Sequence, residues 1–376
     1  MIFLISKTSR SPFKGDLISF YFTFYFHYYN VYSYAYTKEI WKLFQISSQC
    51  GLNSVYEKTG DLNIKKILIL IVSLFIGNVA FSGEKPQWLN VKSWVYQLCN
   101  YKNNKLEQIR DAKFDLAVID LTRDGSEEYF TKDEIESVKR SGKYVIAYFE
   151  IGAIEDYRPE WNDVPKEIKA GAVDGWPKEQ YVKFWDKRWW PVVKGRIDQA
   201  LKSGFDGIYM DLITAYGEIK DREFNTEERA YKMVDLIDKI SKYAKKKNPE
   251  FKIIAQNCPE LYTWSQWKPQ LNKKYIDAID GLGLESVFYM AHDRPANKGW
   301  CRENRENAIA VKKAGKLLLG VDYAKKVETI KDAYAKQRKA GFVPYVSVVE
   351  LDVVLKEGET KSTVKKKHRR NKHTEE

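Results

Sequence analysis

Six carboxylates recur at comparable positions in this chain. Asp120, Glu150, Asp211, Glu285, Asp322 and Glu350 each close, or stand beside, a short apolar or β-branched run of the kind that forms a buried strand. A single acid after a strand is commonplace, because Asp often caps the following helix. Six gathered on one rim would be different, since crowded like charges call for a cationic ligand, a metal or protonation of some members. Protonation is also how a carboxyl is tuned for general-acid work. Cleaving a glycosidic bond needs two such groups, one to protonate the departing oxygen and one to attack the anomeric carbon or activate water. Asp211, as nucleophile, and Glu285, as acid/base, are the candidates. A carboxyl separation of about 5–5.5 Å would give retention and about 6.5–9.5 Å inversion, and a retaining reaction is expected.

Around this pair, Asp120, Glu150, Glu155, Asp156, Tyr209, Asn257, Asp322 and Glu350 are candidate substrate-binding residues. Asn257 could donate to a sugar hydroxyl or cap the next helix. Trp161, Trp176, Trp185, Trp189 and Trp190 crowd one long segment, where aromatic faces either stack on sugars or pack the loop against itself. Metal-dependent deacetylation would need several histidines with a carboxylate. His27 falls in the leader and His368 and His373 in the tail, which leaves His292 alone. No G-x-S-x-G elbow supports a serine hydrolase. Neither a metal nor a cofactor is expected. The alternative to an enzyme is a non-catalytic cell-surface barrel that binds cationic polysaccharide through an acidic rim.

What must position these acids is a series of eight runs: 94–98, 114–120, 144–150, 205–211, 252–257, 280–285, 317–322 and 344–350. The segments between them read as helices. Four end in nearly the same joint, Arg140-Ser141-Gly142, Lys202-Ser203-Gly204, Lys313-Ala314-Gly315 and Lys339-Ala340-Gly341. A basic residue suits the negative end of a helix, and glycine takes the left-handed turn that ends it. Thr131 through Glu134 reads as a capping box, and Thr226 precedes Glu227 and Glu228 at the start of another helix. Eight β-then-α units without a glycine-rich phosphate loop predict an α/β fold of the closed (β/α)₈ TIM-barrel type, with the acids at the mouth where the βα loops open.

The net charge of +12 is uneven, with 48 basic and 45 acidic side chains in residues 83–360. That near balance gives no concentrated basic face, so nucleic acid is not an expected partner. Residues 62–82 read as a signal peptide: Lys65 and Lys66, an apolar run, then Ala80 and Ser82 at −3 and −1 of a cleavage site. The run is short of the ~20 residues of a membrane span, although retention as an anchor is the competing reading. A secreted, periplasmic or cell-surface location follows, with no membrane span after cleavage. Residues 1–61 read as a gene-model extension or disordered leader, 83–360 as the barrel, and 361–376 as a basic disordered tail. Cys99, Cys258 and Cys301 show no CxxC spacing, leaving either one bridge with a spare thiol or three unpaired core cysteines.

Four segments carry a resemblance: Y-F-E-I-G-A-I-E-D-Y-R-P-E-W (148–161), G-F-D-G-I-Y-M-D (204–211), A-Q-N (255–257) and G-L-G-L-E-S-V-F-Y (281–289). Over roughly 85–355 the chain resembles glycoside hydrolase family 114, the endo-α-1,4-polygalactosaminidase group. The resemblance implies an endo-acting hydrolase of chains containing galactosamine or N-acetylgalactosamine, with catalytic acids at Asp211 and Glu285 and with Glu150, Glu155 and Asp156 near substrate ammonium groups. Leu212, Thr214 and Ser286 depart from the pattern, which carries Asn, Asp and a second acid there. Those departures bear on sugar selectivity more than on reaction type.

Overall fold

The computed structural model describes residues 83–123, 125, 127–264 and 269–364. The leader at 1–61, the signal segment at 62–82 and the tail from 365 onward lie outside the described residues. Thirteen strands follow in chain order: β1 (Trp94–Gln97), β2 (Leu116–Asp120), β3 (Tyr144–Glu150), β4 (Ala153–Glu155), β5 (Lys169–Val173), β6 (Trp176–Val182), β7 (Gly207–Asp211), β8 (Lys252–Gln256), β9 (Gly281–Glu285), β10 (Tyr289–Met290), β11 (Arg294–Pro295), β12 (Leu317–Tyr323) and β13 (Val343–Ser347). Eight of them form one all-parallel sheet in the order β1-β2-β3-β7-β8-β9-β12-β13. The seam lies between β13 and β1. There the Trp94 indole donates to the Val343 carbonyl at 3.0 Å, and the Leu98 N–H to the Leu351 carbonyl at 2.8 Å. The eight runs expected from sequence are these eight strands, with ends shifted by up to three residues; the last stops at Ser347, short of Glu350.

Between the strands run α1 (Glu107–Asp111), α2 (Lys132–Lys139), α3 (Trp190–Ser203), α4 (Ala215–Glu218), α5 (Thr226–Lys247), α6 (Glu260–Thr263), α7 (Pro269–Ala278), α8 (Gly299–Lys313) and α9 (Val327–Ala340). Gly142, Gly204, Gly315 and Gly341, the last residue of each recurring joint, have φ between 82° and 90°, the left-handed turn that releases the chain toward the next strand. The Thr131/Glu134 capping box is present. The cap of α5 is Asn225 rather than Thr226, again closed by Glu228. No helix among the described residues is long and apolar enough to cross a membrane.

Inside the barrel the filling is aromatic. The Trp94 ring lies 5.6 Å from Tyr96 and 5.7 Å from Tyr345, while Tyr96 lies 5.4 Å from Tyr209. Burying each such ring removes roughly 150–250 Å² from water, an upper limit of about 4–6 kcal/mol at ~25 cal/mol/Å². Gly283 on β9 makes room for Tyr209, since a Cβ there would sit 1.9 Å from its hydroxyl.

Between β3 and α3 the chain leaves the barrel. The long tryptophan-rich segment forms a small antiparallel sheet of order β4-β6-β5, which the sequence reading did not anticipate. Its β5–β6 ladder carries register shifts.

Candidate active site

The ends of the barrel strands, the β4–β6 sheet and the β10–β11 turn enclose a cleft of about 550 Å³. Asp211 and Glu285 both line it. Asp211 ends β7. Its Oδ2 accepts the Tyr148 hydroxyl at 2.6 Å and its Oδ1 the Leu212 N–H at 2.5 Å. Leu212 itself takes a positive φ of 54°. Glu285 ends β9. Its Oε1 accepts the Tyr323 hydroxyl and its Oε2 the Asn257 amide at 3.2 Å, while its own N–H donates to Asn257 Oδ1 at 3.1 Å. Asn257 thus grips Glu285 reciprocally, and the N-cap position of α6 is Pro259 instead.

Among the described residues, only neutral donors reach this pair. Burial first, and then the charge of Glu285, push the Asp211 carboxyl up to about 7, although the bonds from Tyr148 and Leu212 pull the other way. Such a carboxyl exchanges its proton near neutrality, as acid/base and nucleophile pairs require.

The other acids meet different fates. Asp120 is buried in a two-toothed pair with Arg158, both N–O distances 2.8 Å. Glu150 is fully buried between Arg158 at 3.1 Å and Arg196 at 3.2 Å. Burial acts most strongly on Glu150 and raises it, but the two arginines together hold its carboxyl below the usual range. Glu155 pairs with Arg158 Nε at 2.6 Å and accepts the Tyr157 hydroxyl; burial and then the charge of Glu150 push it up to about 8. The cation required by crowded acids is therefore built in.

Four expected binding residues do not line the cleft. Asp322 follows the inward-facing Val321 and so points outward, where its oxygens accept the Phe288 and Tyr289 N–H groups at 2.8 and 2.9 Å and the Gln337 amide at 2.9 Å. It is fully buried, and burial pushes it up to about 6. The inward residue is its neighbour Tyr323. Tyr209 lies one layer beneath Asp211, fully buried, and its hydroxyl has no partner among the described residues. Glu150 belongs to the arginine cluster, away from the cleft surface. Asp156 is exposed and does not line the cleft. Glu350 does line it, at the rim, with Lys361 3.8 Å away.

Of the five tryptophans, Trp176 alone lines the cleft, and it is 56% exposed. Trp189 is buried, donating to the Ile151 carbonyl at 2.8 Å. Trp161 is covered by Lys169, and Trp185 and Trp190 pack edge-on against Phe184 and Tyr243. Cys99, Cys258 and Cys301 are unbridged; the first is on the cleft wall rather than in the core. His292 is exposed in the β10–β11 turn. Sequence reasoning passed over Arg158, Arg196, Tyr148, Tyr323 and Glu179. Arg158 stood within the quoted segment 148–161, and Tyr148 shares the face of Glu150 two positions on; Arg196, on α3, gave no local signal.

A parallel eight-stranded barrel with two carboxyls facing one cleft at its mouth is the architecture of a glycoside hydrolase. The profile of glycoside-hydrolase family GH114 matches residues 79–363, and the chain belongs to that family. An uncharacterized protein of Deinococcus radiodurans is 31% identical over 280 residues, covering 73% of this chain and 85% of the relative. Among solved structures, Aspergillus fumigatus Ega3 in complex with galactosamine superposes with a TM-score of 0.55 at 15% identity, covering 73% of this chain and 98% of that one. The glycoside hydrolase domain of PelA from Pseudomonas aeruginosa gives 0.55 at 13% identity, over 71% and 98%. These two likenesses speak to the fold.

Proposed function

We propose that the protein is an exported endo-hydrolase of α-1,4-linked, galactosamine-containing polysaccharide, with Asp211 as nucleophile and Glu285 as acid/base in a retaining reaction. The observation that carries this reading is the pair itself, two strand-end carboxyls lining one cleft, with only neutral donors among the described residues touching either. The reaction needs a proton on Glu285 and the charge on Asp211. The Tyr148 hydroxyl and Leu212 N–H stabilise that charge, and the Tyr323 hydroxyl can turn to accept from a protonated Glu285. Attack on the anomeric carbon then transfers the Glu285 proton to the leaving oxygen. Water, deprotonated by Glu285, releases the sugar from Asp211.

The cleft favours a cationic chain. Asp174, Glu179 and Glu350 join Asp120, Glu155 and the pair on its walls, and of the two arginines there Arg158 is already engaged. The galactosamine named with Ega3 is in keeping with such a substrate. Export rests on the 62–82 segment and predicts a mature chain beginning after Ser82.

The test is to incubate the full chain with partly deacetylated poly-galactosamine and measure oligosaccharide release by mass. Asp211→Asn or Glu285→Gln should lower the rate by roughly a thousandfold or more with the circular dichroism spectrum unchanged. Tight polymer binding by the unmutated protein without any release would mean a binding barrel and not an enzyme.

A further inference from the structure

The β4–β6 sheet brings an acid into the cleft wall that the catalytic scheme does not use. Glu179 on β6 stands directly opposite Glu155 on β4 in their antiparallel ladder, a placement in which like charges repel. It lines the cleft, is only 7% exposed, and its Oε1 has no hydrogen-bond partner among the described residues. The charged groups acting on it are Glu155 from β4, Glu150 from β3, Asp211 from β7 and Arg158 from the loop after β4. Three of the four are acidic, and Arg158 is committed to Asp120, Glu150 and Glu155. No ion pair to Glu179 occurs among the described residues. Three positions earlier on the same strand, Trp176 presents its exposed ring to the same cleft.

A buried carboxyl oxygen without a partner is expensive unless a ligand completes it. An aromatic plate lining the same cleft as such a group suits a sugar ring that carries one strong donor. We propose that the β5–β6 hairpin forms a subsite for an unacetylated amino-sugar residue, with Trp176 against the ring and Glu179 receiving the ammonium, and that binding expels one proton from Glu179 to solvent. The inference deepens the hydrolase reading and rests on it for the substrate class. The balance is simple: a sugar ammonium and a neutral carboxyl become an ammonium–carboxylate pair plus a proton taken up by buffer. Burial, followed by the charges of Glu150, Asp211 and Glu155, pushes Glu179 up to about 9, so the empty subsite is neutral below that pH. An ammonium at hydrogen-bond distance reverses the preference. An N-acetylated residue carries no charge and would leave the proton in place.

Calorimetry on the full chain carrying Asp211→Asn isolates the event, because this variant neither cleaves nor titrates at position 211. Galactosamine oligosaccharides should be titrated at about pH 6, where the amine is protonated, in two buffers of different ionisation heat. The expected result is a net release of protons, a fraction of one per bound chain at this pH. Release should vanish with Glu179→Gln added, and affinity should fall roughly tenfold or more. Trp176→Ala should weaken binding but leave the proton count unchanged, and fully N-acetylated oligosaccharides should release none. Heats that do not depend on buffer, release that persists without Glu179, or no binding at all would overturn the subsite. Cleavage by the unmutated chain is scored separately. Hydrolysis without proton release sinks this inference alone, whereas proton release without hydrolysis retains the subsite and sinks the enzyme.

Discussion

The two walls of the cleft begin from the same residue type at the same place in the fold and arrive at opposite chemistry. On one, Asp120 and Glu150 end neighbouring strands and are stitched by Arg158 and Arg196, so that they serve as buried ion-pair partners. On the other, Asp211 and Glu285 end their strands with only hydroxyl and amide donors to hold them. The first pair is buried, and the second is partly open to the cleft. The two also differ in whether a cation was taken inside with the acid, because only a compensated charge stays fixed at low dielectric. Reactivity at the second wall comes from leaving that compensation out.

Removing the cation from the first wall is the harshest way to break the contrast. Arg158→Met strands Asp120 and leaves Glu150 with Arg196 alone, and should cost about 3–5 kcal/mol in denaturant unfolding. A loss under about 1 kcal/mol would mean that those acids, too, shed their charge as protons, and that the walls do not differ. A gentler probe addresses the second wall. With Asp211 pushed up to about 7, kcat/KM should fall as pH drops through that value, since protonation removes the nucleophile. Tyr148→Phe removes a bond that holds the carboxyl down, so this acid limb should move to higher pH. Movement to lower pH, or none, would show that the Tyr148 hydroxyl does not stabilise the charged form. The smallest effect is expected beneath the site. Because the Tyr209 hydroxyl has no partner, Tyr209→Phe should leave the rate unchanged and stability unchanged or raised by about 1 kcal/mol. A marked loss of rate would restore Tyr209 to the site.

The strands were legible because near-continuous apolar runs and basic-residue–glycine joints are local patterns, and local patterns survive into any fold that covers both faces of a sheet. The strand-end acids were legible for the same reason. Their roles were less so. Asp322 and Tyr323 are adjacent, and reading the run as ending at the acid selected the residue that points outward. A one-residue difference in strand parity sends the side chain to the opposite face, so Tyr323 came into the cleft and Asp322 went under α9, on Gln337. The β4–β6 sheet was read only as a long aromatic loop, because its irregular ladder and exposed positions interrupt the alternation that marks a strand.

By itself the chain settled which segments become strands, where helices stop and that carboxylates end the strands, since each depends on neighbours a few residues away. Only the tertiary structure decided which carboxylates stay charged. That depends on the side chains brought alongside each one, such as Arg196 from α3 beside Glu150 and Asn257 from the end of β8 beside Glu285. The electrostatic work of holding an ion away from water is set by those few ångströms, and no spacing along the sequence encodes them.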